Sequence, residues 1–222
     1  MIDLQLVENL VFRIDNSVAV NKQVFSDDFW KHGFALWEQI DPKNYPLTPH
    51  GAFMKHTPIA QIQISRGCPF SCVFCASFTM NGKKVRYRPV ESVMQEIEFL
   101  TTQLGVKEIH ISDDVFTMNR QYVIDFCNEL LKRKIDISWT CPNGVRLDSL
   151  DNKLLKKMKQ AGCYVLSVGI ESGNNRILKE MKKSLTIETV TEKVNLIKSV
   201  GIGVVGFFII GFPTETKQDI LN

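Results

Sequence analysis

Ile59-Ala-Gln-Ile-Gln-Ile-Ser-Arg-Gly-Cys-Pro-Phe-Ser-Cys-Val-Phe-Cys75 joins a strand to a reactive loop. The apolar run Ile59–Ser65 predicts a β-strand. Cys68, Cys72 and Cys75 follow it at once, spaced C-x3-C-x2-C. Three thiolates are offered, not four. Cysteine thiolates hold iron–sulfur clusters, and four make a closed set. Three on a four-iron cubane would leave one iron open to an outside ligand. Structural zinc is the rival, but it takes four ligands, arriving in C-x2-4-C pairs. Only Cys72 and Cys75 make such a pair, and His32, His50, His56 and His110 are scattered. A cluster fits the spacing better.

Outward from this stretch, strand-like and helical segments alternate, which signals parallel β/α units. Val106–Ser112, Ile137–Cys141, Tyr164–Ile170 and Gly203–Gly211 are the further expected strands. The last is nearly all apolar and reads as a strand buried on both faces. Helices are expected at Glu91–Leu104, Arg120–Lys134, Asp151–Gln160 and Thr186–Val200, with Gly105, Gly162 and Gly201 at their ends. Right-handed crossovers would roll these units into a barrel or part of one, with its chemistry at the C-terminal ends of the strands. Asp113-Asp114, Asn143–Arg146, Glu171 and Gly211–Glu215 all fall there, so one mouth is implied.

With 222 residues, 44% hydrophobic and 23% charged, the chain suits a globular fold with one sizeable core. A net charge of +3 is too small to argue for nucleic acid or an anionic membrane. No apolar run reaches the ~18 residues of a spanning helix. Met1-Ile-Asp-Leu-Gln-Leu-Val-Glu8 is too short and acidic for a secretory signal. The expected setting is therefore reducing and cytoplasmic, where clustered cysteines bind metal or catalyse rather than pair. Cys127, Cys141 and Cys163 read as small buried hydrophobes. Residues 1–58 break the β/α rhythm and are expected to form a separate segment. It holds a hairpin over Asn9–Asn21 turning at Asp15-Asn16-Ser17, then a linker through Trp30, Trp37, Pro42, Pro46 and Pro49. Residues 59–222 would be the barrel, ending inside the helix after strand five.

With aromatic Phe74 just before the third cysteine, the triplet resembles the radical S-adenosylmethionine (SAM) superfamily, and the likeness runs over roughly residues 59 to 220. The resemblance implies an α/β fold, a partial parallel (β/α)6 TIM-like barrel, truncated here after about five units. It also implies a 4Fe–4S cluster on Cys68, Cys72 and Cys75, with SAM on the open iron. Reduction by a donor such as flavodoxin or ferredoxin would cleave SAM to a 5′-deoxyadenosyl radical that takes hydrogen from an unknown substrate. Asp113 or Asp114 would meet the SAM ammonium; helix capping in a solvated turn is the alternative. Arg146 would pair with the SAM carboxylate, unless it forms a surface salt bridge with Asp148. Glu171, in Gly169-Ile-Glu-Ser-Gly173, resembles a ribose ligand. Ile209 would pack on adenine and Gly211 would give the backbone room. Glu215 would cap or orient the next helix, unless it is a solvated first-turn acid. Lys83–Arg88, Lys156-Lys157 and Lys182-Lys183 read as solvated charges.

Within the superfamily, the wording Asp-Asp-x-Phe and Gly-Ile-Glu-Ser-Gly is most similar to proteins with a cobalamin-binding domain ahead of the barrel. Asp-x-His-x-x-Gly, their cobalamin motif, does not occur here, so cobalamin would belong to a domain upstream of Met1. Methylthiotransferases share Gly-Phe-Pro-x-Glu-Thr but bring three more cysteines N-terminally, and none precedes Cys68. A noncatalytic iron–sulfur or zinc-binding module is the alternative of a different class.

Overall fold

The computed structural model describes residues 3–45 and 53–221. Pro46, Pro49 and His50 lie outside the described residues. Val11–Ile14 (β1) and Ser17–Val20 (β2) form the expected hairpin, turning through Asp15 at φ 49°. The cysteine region follows as β3 (Ile59–Ile62), β4 (Ser65–Arg66), α1 (Ser77–Asn81) and β5 (Arg86–Tyr87). Then come α2 (Val90–Thr102), β6 (Glu108–Ile111), α3 (Arg120–Lys132) and β7 (Ser138–Val145). The chain continues through α4 (Asn152–Gln160), β8 (Cys163–Glu171), α5 (Asn175–Glu180), α6 (Ile187–Ser199), β9 (Gly203–Phe208) and α7 (Lys217–Leu221).

The five long-range strands pair in parallel in the order β3-β6-β7-β8-β9, which is chain order, as right-handed β/α crossovers produce. The sheet is an open part of a barrel, with β3 and β9 as its edges. Its helix-facing side is apolar because each helix offers one apolar stripe. In α2 that stripe is Val93, Met94, Ile97 and Leu100, all 0% exposed. Burying each such side chain contributes about 1.5–3 kcal/mol. Trp139 meets Phe116 and Phe126 edge-on, and its Nε1 donates to the Ala161 carbonyl at 2.8 Å. The side chains of Asn119, Asp151 and Thr186 cap α3, α4 and α6. Cys127, Cys141 and Cys163 are buried and free. Among the described residues no helix is long and apolar enough to cross a membrane.

Two expectations need correction. β9 is not buried on both faces: Phe207 and Phe208 are 41% and 60% exposed, and among the described residues β9 is a sheet edge paired only with β8. The run Lys83–Arg88 is only half solvated. Arg86 and Arg88 are buried, Arg86 on the Ser26 carbonyl and Arg88 on Glu96 and the Gln63 carbonyl.

The inner side of the sheet is polar at its N-terminal end. Glu108 is fully buried, and its Oε2 accepts from the backbone N–H groups of Lys55 and His56 at 2.8 and 2.7 Å. Its Oε1 lies 2.9 Å from His110 Nε2 and accepts from the Tyr164 hydroxyl at 2.5 Å. The chain entering β3 is thereby pinned to the barrel floor. Desolvation pushes the Glu108 carboxyl up, but these four partners outweigh it and hold the carboxyl below its ordinary value. A depressed folded-state pKa gives stability that is present above the unfolded value of about 4.3 and lost as pH falls through the folded one. Hydrogen-exchange protection of the Lys55 and His56 amides is therefore expected to hold at pH 7 and collapse in acid below that value. Protection unchanged in acid would contradict the pinning.

Candidate active site

β4 and β5 pair antiparallel, Ser65 with Tyr87 and Arg66 with Arg86, so the chain between them leaves and rejoins the barrel at one point. That closure needs glycine at 67. Gly67 has φ 104°, and a Cβ there would sit 2.2 Å from the Lys84 carbonyl oxygen. Next to it, the Cys68 N–H donates to the Gly82 carbonyl at 3.0 Å. The far side of the loop is held by the turn after α5, with the Val73 N–H donating to the Met181 carbonyl at 3.2 Å. Cys68 is half-buried, Cys72 buried and Cys75 exposed, and all three are free thiols.

Among the described residues no three His, Cys, Asp or Glu side chains are gathered into a ready metal site. The donor set nevertheless suits a cluster. Burial pushes the Cys68 thiol up; a backbone hydrogen bond from Phe70 opposes this, and Asp114, Cys75 and Cys72 nearby add to the rise. Cationic iron bound to the loop would relieve that crowding and deprotonate the thiols.

The two aspartates divide the work. Asp113 is 1% exposed, and its Oδ1 accepts from the Ile64 N–H at 2.7 Å. Its Oδ2 accepts from the Ser65 N–H and hydroxyl at 2.7 and 2.6 Å. Desolvation, opposed by these three donors, pushes its carboxyl up to about 6. Asp113 thus ties the end of β6 to the start of the cysteine loop. It stands in no solvated turn, and Asn119 caps the helix instead. Asp114 is half-buried, accepts from Asn81 Nδ2 at 2.9 Å and lies within electrostatic reach of Cys68.

Arg146 does form the salt bridge with Asp148, but as a fork, with Nε to Oδ1 at 2.9 Å and Nη2 to Oδ2 at 2.7 Å. The pair straddles the surface: Asp148 is 42% exposed, but Arg146 is 8% exposed, donates to the Lys183 carbonyl at 3.1 Å and stacks 3.7 Å above the Phe70 ring. The β7 end therefore bears on the cysteine loop between Cys68 and Cys72.

Glu171 ends β8 in a left-handed conformation, φ 68°, which is uncommon for a residue with a side chain. It is 7% exposed, and its Oε1 accepts from Lys183 Nζ at 2.7 Å. Lys183 Nζ also lies 5.8 Å from the centre of the exposed Phe74 ring. Lys183 is thus no solvated loop charge. Nothing in Lys182-Lys183 marked it; the only clue was that a buried carboxylate needs a nearby cation. Gly169 makes room for this pair, since a Cβ there would lie 2.3 Å from Glu171 Oε1 and 2.6 Å from Lys183 Nζ. Gly169→Ala is expected to push these flexible side-chain ends aside at a cost under about 1 kcal/mol in urea unfolding, and a larger loss would contradict this packing.

Ile209 is half-buried, and its N–H donates to the Glu171 carbonyl at 2.9 Å. At Gly211 a Cβ would meet nothing within 4 Å, so its φ of 87° requires glycine rather than shortage of space. Its N–H donates to Glu215 Oε2 at 2.6 Å. Glu215 therefore holds that turn, while Asp219 and Thr216 bond each other at the start of α7. The cysteine loop, Asp113-Asp114, Arg146, Glu171 and Ile209–Gly211 all stand at the C-terminal ends of the parallel strands, as expected.

The family profile of the Radical SAM superfamily matches residues 62–222. An uncharacterized methyltransferase of Pyrococcus horikoshii is 37% identical over 184 residues, covering 82% of the chain and 40% of that protein. A cytidylyl-2-hydroxyethylphosphonate methyltransferase of Streptomyces wedmorensis is 37% identical over 158 residues, covering 70% of the chain and 29% of that protein. The chain thus spans less than half the length of these curated relatives. Among solved structures, the cobalamin-dependent S-adenosylmethionine radical enzyme OxsB, with aqua-cobalamin and S-adenosylmethionine bound, superposes with a TM-score of 0.82. It covers 99% of the chain and 32% of OxsB at 22% identity, a likeness of fold.

Proposed function

Because the chain belongs to the radical SAM superfamily, we propose that its three-cysteine loop holds a 4Fe–4S cluster and presents SAM to it in the barrel mouth. One observation carries this reading. Three free thiols, Cys68, Cys72 and Cys75, share one short loop that follows β3 and β4 at the C-terminal end of the sheet. When bound, the cluster supplies the electron that cleaves SAM to methionine and a 5′-deoxyadenosyl radical.

The chain's own residues bind, orient and shield. Asp114 meets the SAM ammonium, because the Asp113 carboxylate is already used by Ile64 and Ser65. Arg146, fixed by Asp148 and stacked on Phe70, braces the loop and offers its remaining N–H groups to the SAM carboxylate. Glu171 accepts the ribose hydroxyls, with Lys183 holding its carboxylate until they arrive. Ile209 packs on the adenine, the turn at Gly211 passes beneath it, and Phe74 covers the cluster side. Holding the target C–H bond close to the adenosyl carbon would give selectivity.

The methyltransferases among the relatives support methyl transfer as the outcome, with cobalamin held by sequence outside this chain. Residues 1–58 would then connect such a domain to the barrel formed by 59–222. A flavodoxin or ferredoxin in the cytoplasm would supply electrons. Anaerobic reconstitution tests the assignment. About four irons and as many sulfides per chain are expected, with cluster absorbance. Zinc retained and iron refused would favour a zinc-binding module and refute it.

A further inference from the structure

Outside the barrel, four of the five residues 23–27 are tied to the cysteine loop at one place. Gln23 Nε2 donates to the Thr79 carbonyl at 3.2 Å, and Lys84 Nζ donates to Asp27 Oδ2 at 2.7 Å. Phe25 lies against Gly82, where a Cβ would come within 2.8 Å of its ring. Arg86 Nη1 donates to the Ser26 carbonyl at 2.6 Å, while Nη2 donates to the Asn81 carbonyl. The Arg86 guanidinium also stands 5.4 Å from the Phe25 ring centre.

Every one of these ties lands between Thr79 and Arg86, the limb by which the loop returns from Cys75 to β5. That limb governs Cys68, whose N–H is held by the Gly82 carbonyl. The ion pair of Lys84 and Asp27 is exposed and adds little. Arg86 is different. It is 6% exposed, and a buried guanidinium that loses a carbonyl partner is strongly penalised. Upstream, Asn9 Oδ1 accepts from the Val24 N–H at 2.7 Å, so the hairpin is fastened to the same segment.

We propose that residues 23–27 form a strap that positions the return limb of the cysteine loop, with Phe25 and Arg86 as its positioning residues. The grip on the cluster then depends on chain outside the barrel. This rests on the reading that Cys68, Cys72 and Cys75 hold the cluster.

The test uses the reconstituted full chain with Phe25→Ala, Phe25→Tyr, Arg86→Lys and, as a control on an 80% exposed side chain, Leu6→Ala. Iron release to a chelator and the electron paramagnetic resonance of the reduced cluster are measured beside thermal unfolding. Phe25→Ala is expected to release iron about fivefold faster, the factor that ~1 kcal/mol of lost ring packing gives. Its cluster spectrum should change while the unfolding midpoint falls by only the roughly 2–4 °C that the same packing loss gives. Phe25→Tyr should restore both, and Leu6→Ala should match the parent. Arg86→Lys keeps the charge but gives up one backbone partner, so it should move the same way as Phe25→Ala. In the metal-free chain, alkylation of Cys68 should accelerate in the same variants. Parental iron release and spectra in both Phe25→Ala and Arg86→Lys would overturn the strap. A parent that takes up no iron would refute the cluster instead, and the alkylation rates would still decide the strap.

Discussion

Asp113→Asn is expected to destabilise the chain by about 3 kcal/mol, read as a lowered midpoint in chemical denaturation. The carboxylate takes three hydrogen bonds, from the Ile64 N–H, the Ser65 N–H and the Ser65 hydroxyl. An amide puts an NH2 group against at least one of those donors and leaves it buried without an acceptor. The damage should reach beyond stability, since Ser65 begins β4 and Gly67 and Cys68 follow directly. Asp114→Asn, at a half-exposed position with one side-chain partner, should cost under about 1 kcal/mol. Equal losses in the two variants would contradict the division of roles between the aspartates.

Cys72→Ala is expected to have the larger effect on chemistry. Cys72 is the most buried of the three loop thiols and sits in the middle of the triplet. With two thiolates left, the loop cannot hold a cubane through three irons. Iron retained after desalting should fall to a small fraction of the parent's, and SAM cleavage should vanish with it. The fold should survive, because the buried sulfur makes only a long contact to the Lys182 carbonyl at 3.8 Å. Cleavage undiminished in this variant would refute the assignment of the loop.

Much of the scaffold was legible in the sequence because it follows from periodicity. The apolar runs near Ile109, Trp139 and Leu166 became neighbouring parallel strands, and the stripe Val93, Ile97 and Leu100 became a helix face on them. β9 was misread because an apolar run does not say whether a further strand lies beside it. The site's framework was less legible. Arg86 looked solvated within a basic run, yet its partner is the backbone of Ser26, which carries no side-chain signature. Asp113 and Asp114 are adjacent and chemically alike; only the direction of the chain at the end of β6 separates a buried tie from a half-exposed acid. Lys183 was passed over because its partner Glu171 is reached through a turn, not along one helix face. Residue type shows which groups could act at the mouth, whereas the backbone groups that hold them are visible only in three dimensions.

The most direct test of the central claim is to reduce the reconstituted protein anaerobically in the presence of SAM and measure 5′-deoxyadenosine. Production that depends on both reductant and cluster is predicted. Cluster-loaded, reduced protein that leaves SAM intact would contradict it.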